Sequence, residues 1–254
     1  MLNLDLSGRT AVVTGATGEL GRVITRTLAQ AGADVVICYL KATDRAAKLQ
    51  SELSELGVRA IAIQADVTQS ESVFAMRDKV VAEFGVADII VNNAVIQYDW
   101  KSVLDQPLED FESQFRSCVV HNVLMAKAFV PGMIAKKWGR VIAINTECTM
   151  QATPTQSAYV AGKAGQDRVL RVLAKEVGEH QITVNQVAPG WTISDRDRLA
   201  GSEVNPVYSA NVPLRRRGTD QDIANAVAFL ASDQAAFITG LYLPVSGGTV
   251  MPCI

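Results

Sequence analysis

The chain has 254 residues, 48% of them apolar and 20% charged, which is an ordinary composition for a globular protein and suits one large α/β domain. Its 24 basic and 26 acidic side chains leave a net charge of -2, which argues against binding to nucleic acid or to an anionic membrane. No uncharged apolar run approaches the ~20 residues of a membrane span, and the start M-L-N-L-D-L-S lacks a basic signal region, so we expect a cytoplasmic protein.

The cysteines are far apart in the sequence, at Cys38, Cys118, Cys148 and Cys253. None of them forms a C-x-x-C pair, and only two histidines accompany them. We therefore predict no metal site and interpret the cysteines as structural thiols.

The chain opens with a strand, a glycine turn and a helix. Arg9 to Gly21 reads R-T-A-V-V-T-G-A-T-G-E-L-G, and apolar residues recur at helical spacing from Leu20 onward. This arrangement directs backbone N–H groups and a helix N-terminus at a phosphate. The glycines are spaced G-x-x-G-x-x-G rather than G-x-G-x-x-G, so the turn alone is also compatible with a tight connection that binds nothing.

Apolar runs alternate with helical periodicity along the rest of the chain. The pattern predicts further strands over 33–39, 58–65, 88–92, 139–146, 182–187 and 241–245. It predicts further helices over 43–56, 70–84, 109–137, 156–179 and 220–231, with loops over 96–108 and 191–213. Because the strands are unbroken apolar runs between helices, we expect one Rossmann-type doubly wound α/β domain over residues 1–254, with about seven mainly parallel strands.

Chemistry is expected at the carboxyl ends of these strands, where α/β sheets bind ligands. Tyr159 and Lys163 are four residues apart, so they share one face of the helix that follows. An ammonium about 4 Å from a phenol contributes roughly 4 kcal/mol at an effective dielectric near 20, which lowers the phenol pKa toward the range of acid–base catalysis. Tyrosine and lysine at this spacing are also common on solvated helix surfaces.

These motifs resemble the short-chain dehydrogenase/reductase family over nearly the whole chain, and its 3-oxoacyl-(acyl carrier protein) reductase-like subset in particular. The matching segments are T-G-A-T-G-E-L-G at 14–21, A-D-V at 65–67, N-N-A at 92–94, Y-x-x-x-K at 159–163, V-N-Q-V-A-P-G at 184–190 and I-T-G-L-Y-L-P-V-S-G-G at 238–248. The resemblance implies an oxidoreductase that transfers hydride between a nicotinamide cofactor and a ketone or secondary alcohol. A 3-oxoacyl thioester and a sugar or polyol are both open as substrates.

The resemblance also implies a role for each matching residue. Tyr159 exchanges a proton with the substrate, Lys163 lowers the tyrosine pKa and binds the nicotinamide ribose, and Asn122 holds a water that relays protons. The family's serine, thirteen residues before the tyrosine, is Thr146 here, and we expect its hydroxyl to orient the carbonyl. The residues expected to bind the dinucleotide are Gly15, Thr17, Gly18, Leu20, Gly21, Tyr39, Lys41, Asp66, Val67, Asn93, Ala94, Tyr159, Lys163, Pro189, Gly190 and Thr192.

Four residues depart from the family pattern. Glu19 stands where the glycine turn usually has a glycine, Val95 replaces the glycine of N-N-A-G, Thr146 replaces the serine, and Ser246 replaces the aspartate of a terminal V-D-G-G. A carboxylate at Glu19 would repel a bound pyrophosphate, so we predict that it points away from the phosphates. The first three departures also keep open an alternative, a nucleotide-binding regulatory or scaffold protein without turnover.

The end of the second strand bears on the choice between NAD and NADP. An acidic residue there would bind the ribose 2′-hydroxyl of NAD, but the sequence reads C-Y-L-K with no acid before Asp44. Lys41 would meet a 2′-phosphate, so NADP is favoured over NAD. The alternative is that Lys41 is only a solvated loop lysine.

The substrate is expected to contact residues 96–100, 147–156 and the loop over about 191–213. The side chains offered there are Tyr98, Trp100, Met150, Trp191 and Tyr208, beside Gln97, Glu147 and Gln151. This mixed wall suits a medium-sized ketone or alcohol.

The resemblance further implies a homotetramer or homodimer that pairs the two long helices. Apolar residues of these helices could form that interface or could equally belong to the core, and they include Val119, Val123, Leu170 and Leu173.

Overall fold

The computed structural model describes residues 4–252, and its strands form one seven-stranded parallel sheet. The strands are β1 (Thr10–Thr14), β2 (Asp34–Tyr39), β3 (Ala60–Gln64), β4 (Ile89–Asn92), β5 (Gly139–Ile144), β6 (Ile182–Pro189) and β7 (Tyr242–Val245). Their order in the sheet is β3-β2-β1-β4-β5-β6-β7, and every neighbouring pair is parallel. The predicted fold class is confirmed. The order of strands reverses between β1 and β4, which places a ligand-binding crevice at their carboxyl ends.

Helices cover both faces of this sheet. They are α1 (Glu19–Gln30), α2 (Thr43–Glu55), α3 (Ser70–Phe84), α4 (Leu108–Lys136), α5 (Cys148–Gln151), α6 (Ser157–Val177), α7 (Asp195–Leu199), α8 (Pro206–Asn211) and α9 (Asp220–Ala231). Successive side chains of a strand point to opposite faces, so Ala11 and Val13 pack under α1, α2 and α9, whereas Val12 packs under α3, α4 and α6. Two apolar layers therefore enclose the strands and leave the carboxyl edge of the sheet free for a site.

Helix α4 is interrupted by a π-helical segment over Phe115–Val120, where the sequence predicted a continuous helix. A π segment shifts the backbone hydrogen-bond register and frees carbonyl groups. Two side chains of the next turn use such carbonyls: His121 Nδ1 donates to the Ser117 carbonyl at 3.1 Å, and Asn122 Nδ2 donates to that of Cys118 at 2.6 Å. The apolar period of the sequence does not reveal this change because the buried face continues through it.

The same helix is long and apolar enough to span a membrane by length and composition. Half of its most apolar window is buried inside the protein, where the helix packs on β4 and β5 and beside α3 and α6. Burial in this layer accounts for its apolar composition.

Residues 191–213 contain two short helices, which corrects the prediction of a loop. Ser194 and Asp197 form a capping box at the start of α7, and Asn205 Oδ1 caps α8 by accepting the Tyr208 N–H at 2.9 Å. These helices start at polar caps and are too short to show an apolar repeat, so a search for periodicity misses them. Short helix α5, between the strand predicted over 139–146 and the helix predicted over 156–179, is likewise too short to show an apolar repeat.

The described cysteines are free thiols. Cys38 and Cys118 are buried, Cys148 is half-buried, and Cys253 lies outside the described residues. Burial raises the pKa of Cys38 to about 12, so this thiol stays protonated and unreactive at neutral pH.

Candidate active site

The glycine turn between β1 and α1 is close-packed. Gly15 has a φ of +61°, a conformation that favours glycine, and its carbonyl accepts the Gly18 N–H at 3.0 Å. A Cβ on Gly21 would lie 2.1 Å from that same carbonyl oxygen, so only glycine lets the helix approach the turn. The N-cap residue of α1 is Gly18, which has no side chain to cap the first turn, so backbone N–H groups at this N-terminus can bind an anion.

Thr14 and Asn93 tie this turn to the end of β4. Thr14 Oγ1 accepts the Asn93 N–H at 2.9 Å and the Ala94 N–H at 3.1 Å, and Asn93 Nδ2 donates to the Thr14 carbonyl at 3.0 Å. The sequence predicted Asn93 and Ala94 as site residues but not Thr14. Thr14 could have been identified from its position immediately before the first glycine of the turn.

A cleft of about 1130 Å³ crosses the carboxyl ends of the strands from the glycine turn to α6. Thr146 and all of the predicted dinucleotide residues except Thr192 line it. Donor N–H groups at one end and a lysine and tyrosine at the other suit a dinucleotide, so the described residues fit a nicotinamide cofactor. The Thr192 hydroxyl instead donates to the Gly190 carbonyl at 3.1 Å, outside the lining.

Glu19 is exposed at the start of α1, and its Oε2 accepts the backbone N–H of Asp195 at 3.3 Å. The carboxylate therefore contacts the start of α7, on the side of the 191–213 segment. Glu19 also lines the cleft of about 1130 Å³, and its turning away from the phosphates stays a prediction.

Tyr159 and Lys163 face the cleft from α6, opposite Thr146, which follows β5. Lys163 is fully buried, and its Nζ donates to the Ile144 carbonyl at 2.6 Å and to Gln166 Oε1 at 3.1 Å. The ammonium lies 5.9 Å from the centroid of the Tyr159 ring. The structure thus brings the predicted tyrosine, lysine and threonine to one point of the cleft.

Burial, rather than Lys163, has the largest effect on the pKa of Tyr159. Burial raises the pKa of Tyr159, and a side-chain hydrogen bond with Thr146 opposes this rise. Burial likewise lowers the pKa of Lys163. The ammonium of Lys163 is held by Ile144 and Gln166, and its effect of lowering the tyrosine pKa stays a prediction. A phenol that stays protonated at neutral pH is a proton donor, as carbonyl reduction requires.

Asn122 is buried behind the cleft and does not line it. Its amide nitrogen bonds the Cys118 carbonyl, and its Oδ1 accepts Asn92 Nδ2 at 2.7 Å. The side chain therefore holds the π segment of α4 against the end of β4. The water-relay role of Asn122 stays a prediction.

Polar residues behind the site hold its reactive groups in place. Asn145 Nδ2 donates to the Lys163 carbonyl at 3.1 Å, and its Oδ1 accepts the Thr146 N–H at 2.9 Å. The Tyr242 hydroxyl donates to the Thr146 carbonyl. Neither Asn145 nor Gln166 was predicted as a site residue. Asn145 could have been identified from its position at the end of a buried strand, and Gln166 from its position three residues after Lys163.

A second cleft of about 720 Å³ adjoins the first at Thr146 and Tyr159. Of the large side chains expected there, the aromatic residues Tyr98, Trp100, Trp191 and Tyr208 line it, and Met150 does not. Trp191 and Tyr208 pack edge to face, with ring centroids 5.1 Å apart, and the Tyr98 hydroxyl accepts the Tyr159 N–H at 2.8 Å. The cleft also contains polar side chains, Gln97, Glu147, Gln151 and Gln156.

The strand order, the glycine turn at its reversal and the tyrosine, lysine and threonine beside it define a Rossmann-type, dinucleotide-dependent enzyme. The family model described as enoyl-(acyl carrier protein) reductase matches residues 15–250. The chain belongs to the short-chain dehydrogenase/reductase family.

Individual relatives agree with this assignment. The 3-oxoacyl-[acyl-carrier-protein] reductase of Staphylococcus epidermidis is 36% identical over 253 residues, which cover 96% of this chain and 99% of that protein. The same reductase of Escherichia coli K12 is 37% identical over 258 residues, with coverage of 98% and 100%. A 7 alpha-hydroxysteroid dehydrogenase, solved with NADH and 7-oxo glycochenodeoxycholic acid, is 33% identical with a TM-score of 0.88 and coverage of 98% and 97%. The chain is an oxidoreductase that acts on the CH–OH/C=O pair with a nicotinamide cofactor.

Proposed function

We propose that the enzyme interconverts a ketone and a secondary alcohol, with Tyr159 as the proton donor and acceptor. The observation that carries this proposal is that Tyr159 and Thr146 line both clefts, where the cofactor cleft meets the substrate cleft. A carbonyl in the second cleft would reach both hydroxyl groups at this junction. The bound nicotinamide supplies or accepts the hydride.

The roles of the protein's own side chains in the reduction follow from this placement. The Thr146 hydroxyl donates a hydrogen bond to the carbonyl oxygen and polarises it, and Tyr159 transfers its phenolic proton to that oxygen as the hydride reaches carbon. The new O–H bond completes the alcohol and leaves a phenolate. Lys163, held by Ile144 and Gln166, stabilises that phenolate until it recovers a proton.

The test is turnover of a panel of ketones, and of alcohols in the reverse direction, with NADPH and with NADH. We expect cofactor-dependent turnover of at least one carbonyl compound, followed by the absorbance of the reduced cofactor. Cofactor binding without turnover across the panel would contradict the proposal.

We propose NADP as the preferred cofactor. Lys41 lines the cleft at the end of β2, beside Tyr39 and Leu40, and no carboxylate of that strand end lines it. Lys41→Ala should lower the ratio of kcat/KM for NADPH to that for NADH by about tenfold, close to 1.4 kcal/mol. The matched control is Lys48→Ala, because Lys48 is an exposed lysine of α2 that does not line the cleft. An unchanged ratio in Lys41→Ala would favour the alternative that Lys41 is only a solvated loop lysine.

We also propose a cytoplasmic homodimer or homotetramer that pairs the outer faces of α4 and α6. Between these helices lies an apolar groove lined by Val123, Val172 and Leu173, and Val172 is 56% exposed. Val119 and Leu170 are instead buried in the core. Val172→Glu should shift the mass measured by light scattering toward the monomer, and an unchanged mass would exclude this face.

A further inference from the structure

Glu147 places a buried carboxylate beside the reacting groups. The residue follows Thr146 directly and is 4% exposed. Its Oε1 accepts the Tyr208 hydroxyl at 3.2 Å, whereas Oε2 has no hydrogen-bond partner among residues 4–252. Burial raises the pKa of this carboxyl group, and the hydrogen bond from Tyr208 opposes the rise.

The unpartnered oxygen lies against Gly190, a residue at the junction of the two clefts. Glu147 Oε2 lies 3.1 Å from the position that a Cβ would take on Gly190, and Gly190 lines both clefts. A buried carboxylate oxygen without a donor is costly, so this position favours a ligand that supplies an O–H or N–H group.

Gln156 repeats the pattern from a different element. It precedes α6 by one residue, is 8% exposed and lines the same substrate cleft. Its Oε1 also lacks a hydrogen-bond partner in the described part of the chain. Two buried acceptors, one after Thr146 and one three residues before Tyr159, therefore flank the point where the carbonyl reacts.

We propose that Glu147 and Gln156 select a hydroxyketone or polyol, a neutral substrate with hydroxyl groups next to its reacting carbon. This inference rests on the proposed function and narrows its substrate class. The hydroxyl groups donate to Glu147 and Gln156 while the carbonyl oxygen accepts from Thr146 and Tyr159. A 3-oxoacyl thioester offers only acceptors near its reacting carbonyl, so its thioester oxygen would face a carboxylate without a proton between them.

A purely structural role for Glu147 would be to anchor the 191–213 segment through Tyr208. The two roles predict different behaviour. An anchor affects every substrate alike, and Tyr208→Phe would reproduce its loss. A donor-selecting carboxylate changes the discrimination between substrates with and without a hydroxyl group.

The experiment compares kcat/KM for 1,3-dihydroxyacetone, which has a hydroxyl group on each side of its carbonyl, and for acetone at saturating cofactor. Because a site built to bond a hydroxyl group strongly rejects the analogue without it, the wild-type ratio should favour the hydroxyketone by about a hundredfold or more. Glu147→Gln and, independently, Gln156→Leu should each lower that ratio by about tenfold. Tyr208→Phe and the exposed Glu203→Gln should leave the ratio within about threefold of wild type.

A wild-type ratio near unity would overturn the inference, and this result needs no variant to fold. An equal fall of the ratio in Tyr208→Phe would assign Glu147 to anchoring, and better turnover of acetoacetyl-N-acetylcysteamine than of the hydroxyketone would also contradict it. None of these three results would contradict the proposed function. If the wild type reduces none of the three compounds with either cofactor but turns over another ketone lacking hydroxyl groups, only the inference fails.

Discussion

Gly21 illustrates how one residue sets the cofactor turn. Because a Cβ there would lie 2.1 Å from the Gly15 carbonyl oxygen, Gly21→Ala must push α1 away from the turn. We expect affinity for NADPH to fall by about tenfold or more, measured by fluorescence titration. Gly178→Ala is the matched control, because nothing lies within 4 Å of its Cβ position, and equal affinities in the two variants would refute this account of the turn.

Thr146 is the residue at which the site departs most directly from its family. Thr146→Val keeps the shape of the side chain and removes the hydroxyl, so kcat should fall by about a hundredfold, the usual effect of losing one donor to a developing oxyanion. Thr146→Ser should keep most of the activity. Undiminished turnover by Thr146→Val would remove the hydroxyl from the mechanism.

Single residues were predicted well where a motif fixes them and poorly where charge and burial compete. The sequence placed Tyr159, Lys163 and Thr146 together, and the structure has them around one point of the cleft. Helical spacing reports which face two residues share, but it does not reveal that Gln166 and Ile144 hold the ammonium.

Helix α7 connects the cofactor turn to the 191–213 segment. The Asp195 carboxylate pairs with Arg22 of α1 and accepts Arg198 at 3.1 Å, and Glu19 accepts its backbone N–H. These groups are partly exposed, so the pairs contribute little to global stability. Their consequence is local: they hold the segment that carries Tyr208 over the substrate cleft.

Asp195→Asn should therefore raise KM for the carbonyl substrate several-fold while Tm changes little. Steady-state kinetics and thermal unfolding of the same samples provide both readouts. Asp78→Asn, on the distant α3, is the control. A large fall in Tm with KM unchanged would assign the network to stability instead.

At the scale of elements, the long strands and helices were predictable because burial imposes their apolar repeats. The π segment of α4 and helices α7 and α8 were not. The first depends on His121 and Asn122 bonding freed carbonyls, and the other two depend on the caps at Ser194 and Asn205.

The stability of the whole molecule should depend on a buried histidine. Burial lowers the pKa of His121 to about 4, so the folded chain keeps this imidazole neutral where the unfolded chain, with an ordinary pKa, binds a proton. From about pH 7 to pH 5 the free energy of unfolding should fall by about 2 kcal/mol from this group, and the loss is complete below the folded pKa.

Urea unfolding at both pH values measures this difference. His121→Gln should flatten the pH dependence by about the same amount. The second histidine, the partly exposed His180, gives the control His180→Gln, which should keep the wild-type dependence. Identical pH dependence in wild type and His121→Gln would show that other groups control acid stability.

The fold class of the whole molecule was predictable, but the pairing of its strands was not. Alternating apolar runs specify a covered parallel sheet, yet the order of strands depends on how Thr14 and Asn93 join the ends of β1 and β4. Glu147 was expected in the substrate wall and lines that cleft, but its burial was not foreseen, because it depends on Tyr208 of a segment that was predicted as a loop.

The most direct test of the central claim is Tyr159→Phe, which removes the phenolic hydroxyl and keeps the ring. With a ketone that the wild type reduces, we expect turnover to fall by about a thousandfold or more, while cofactor affinity stays within about threefold. Undiminished turnover by Tyr159→Phe would contradict Tyr159 as the proton donor.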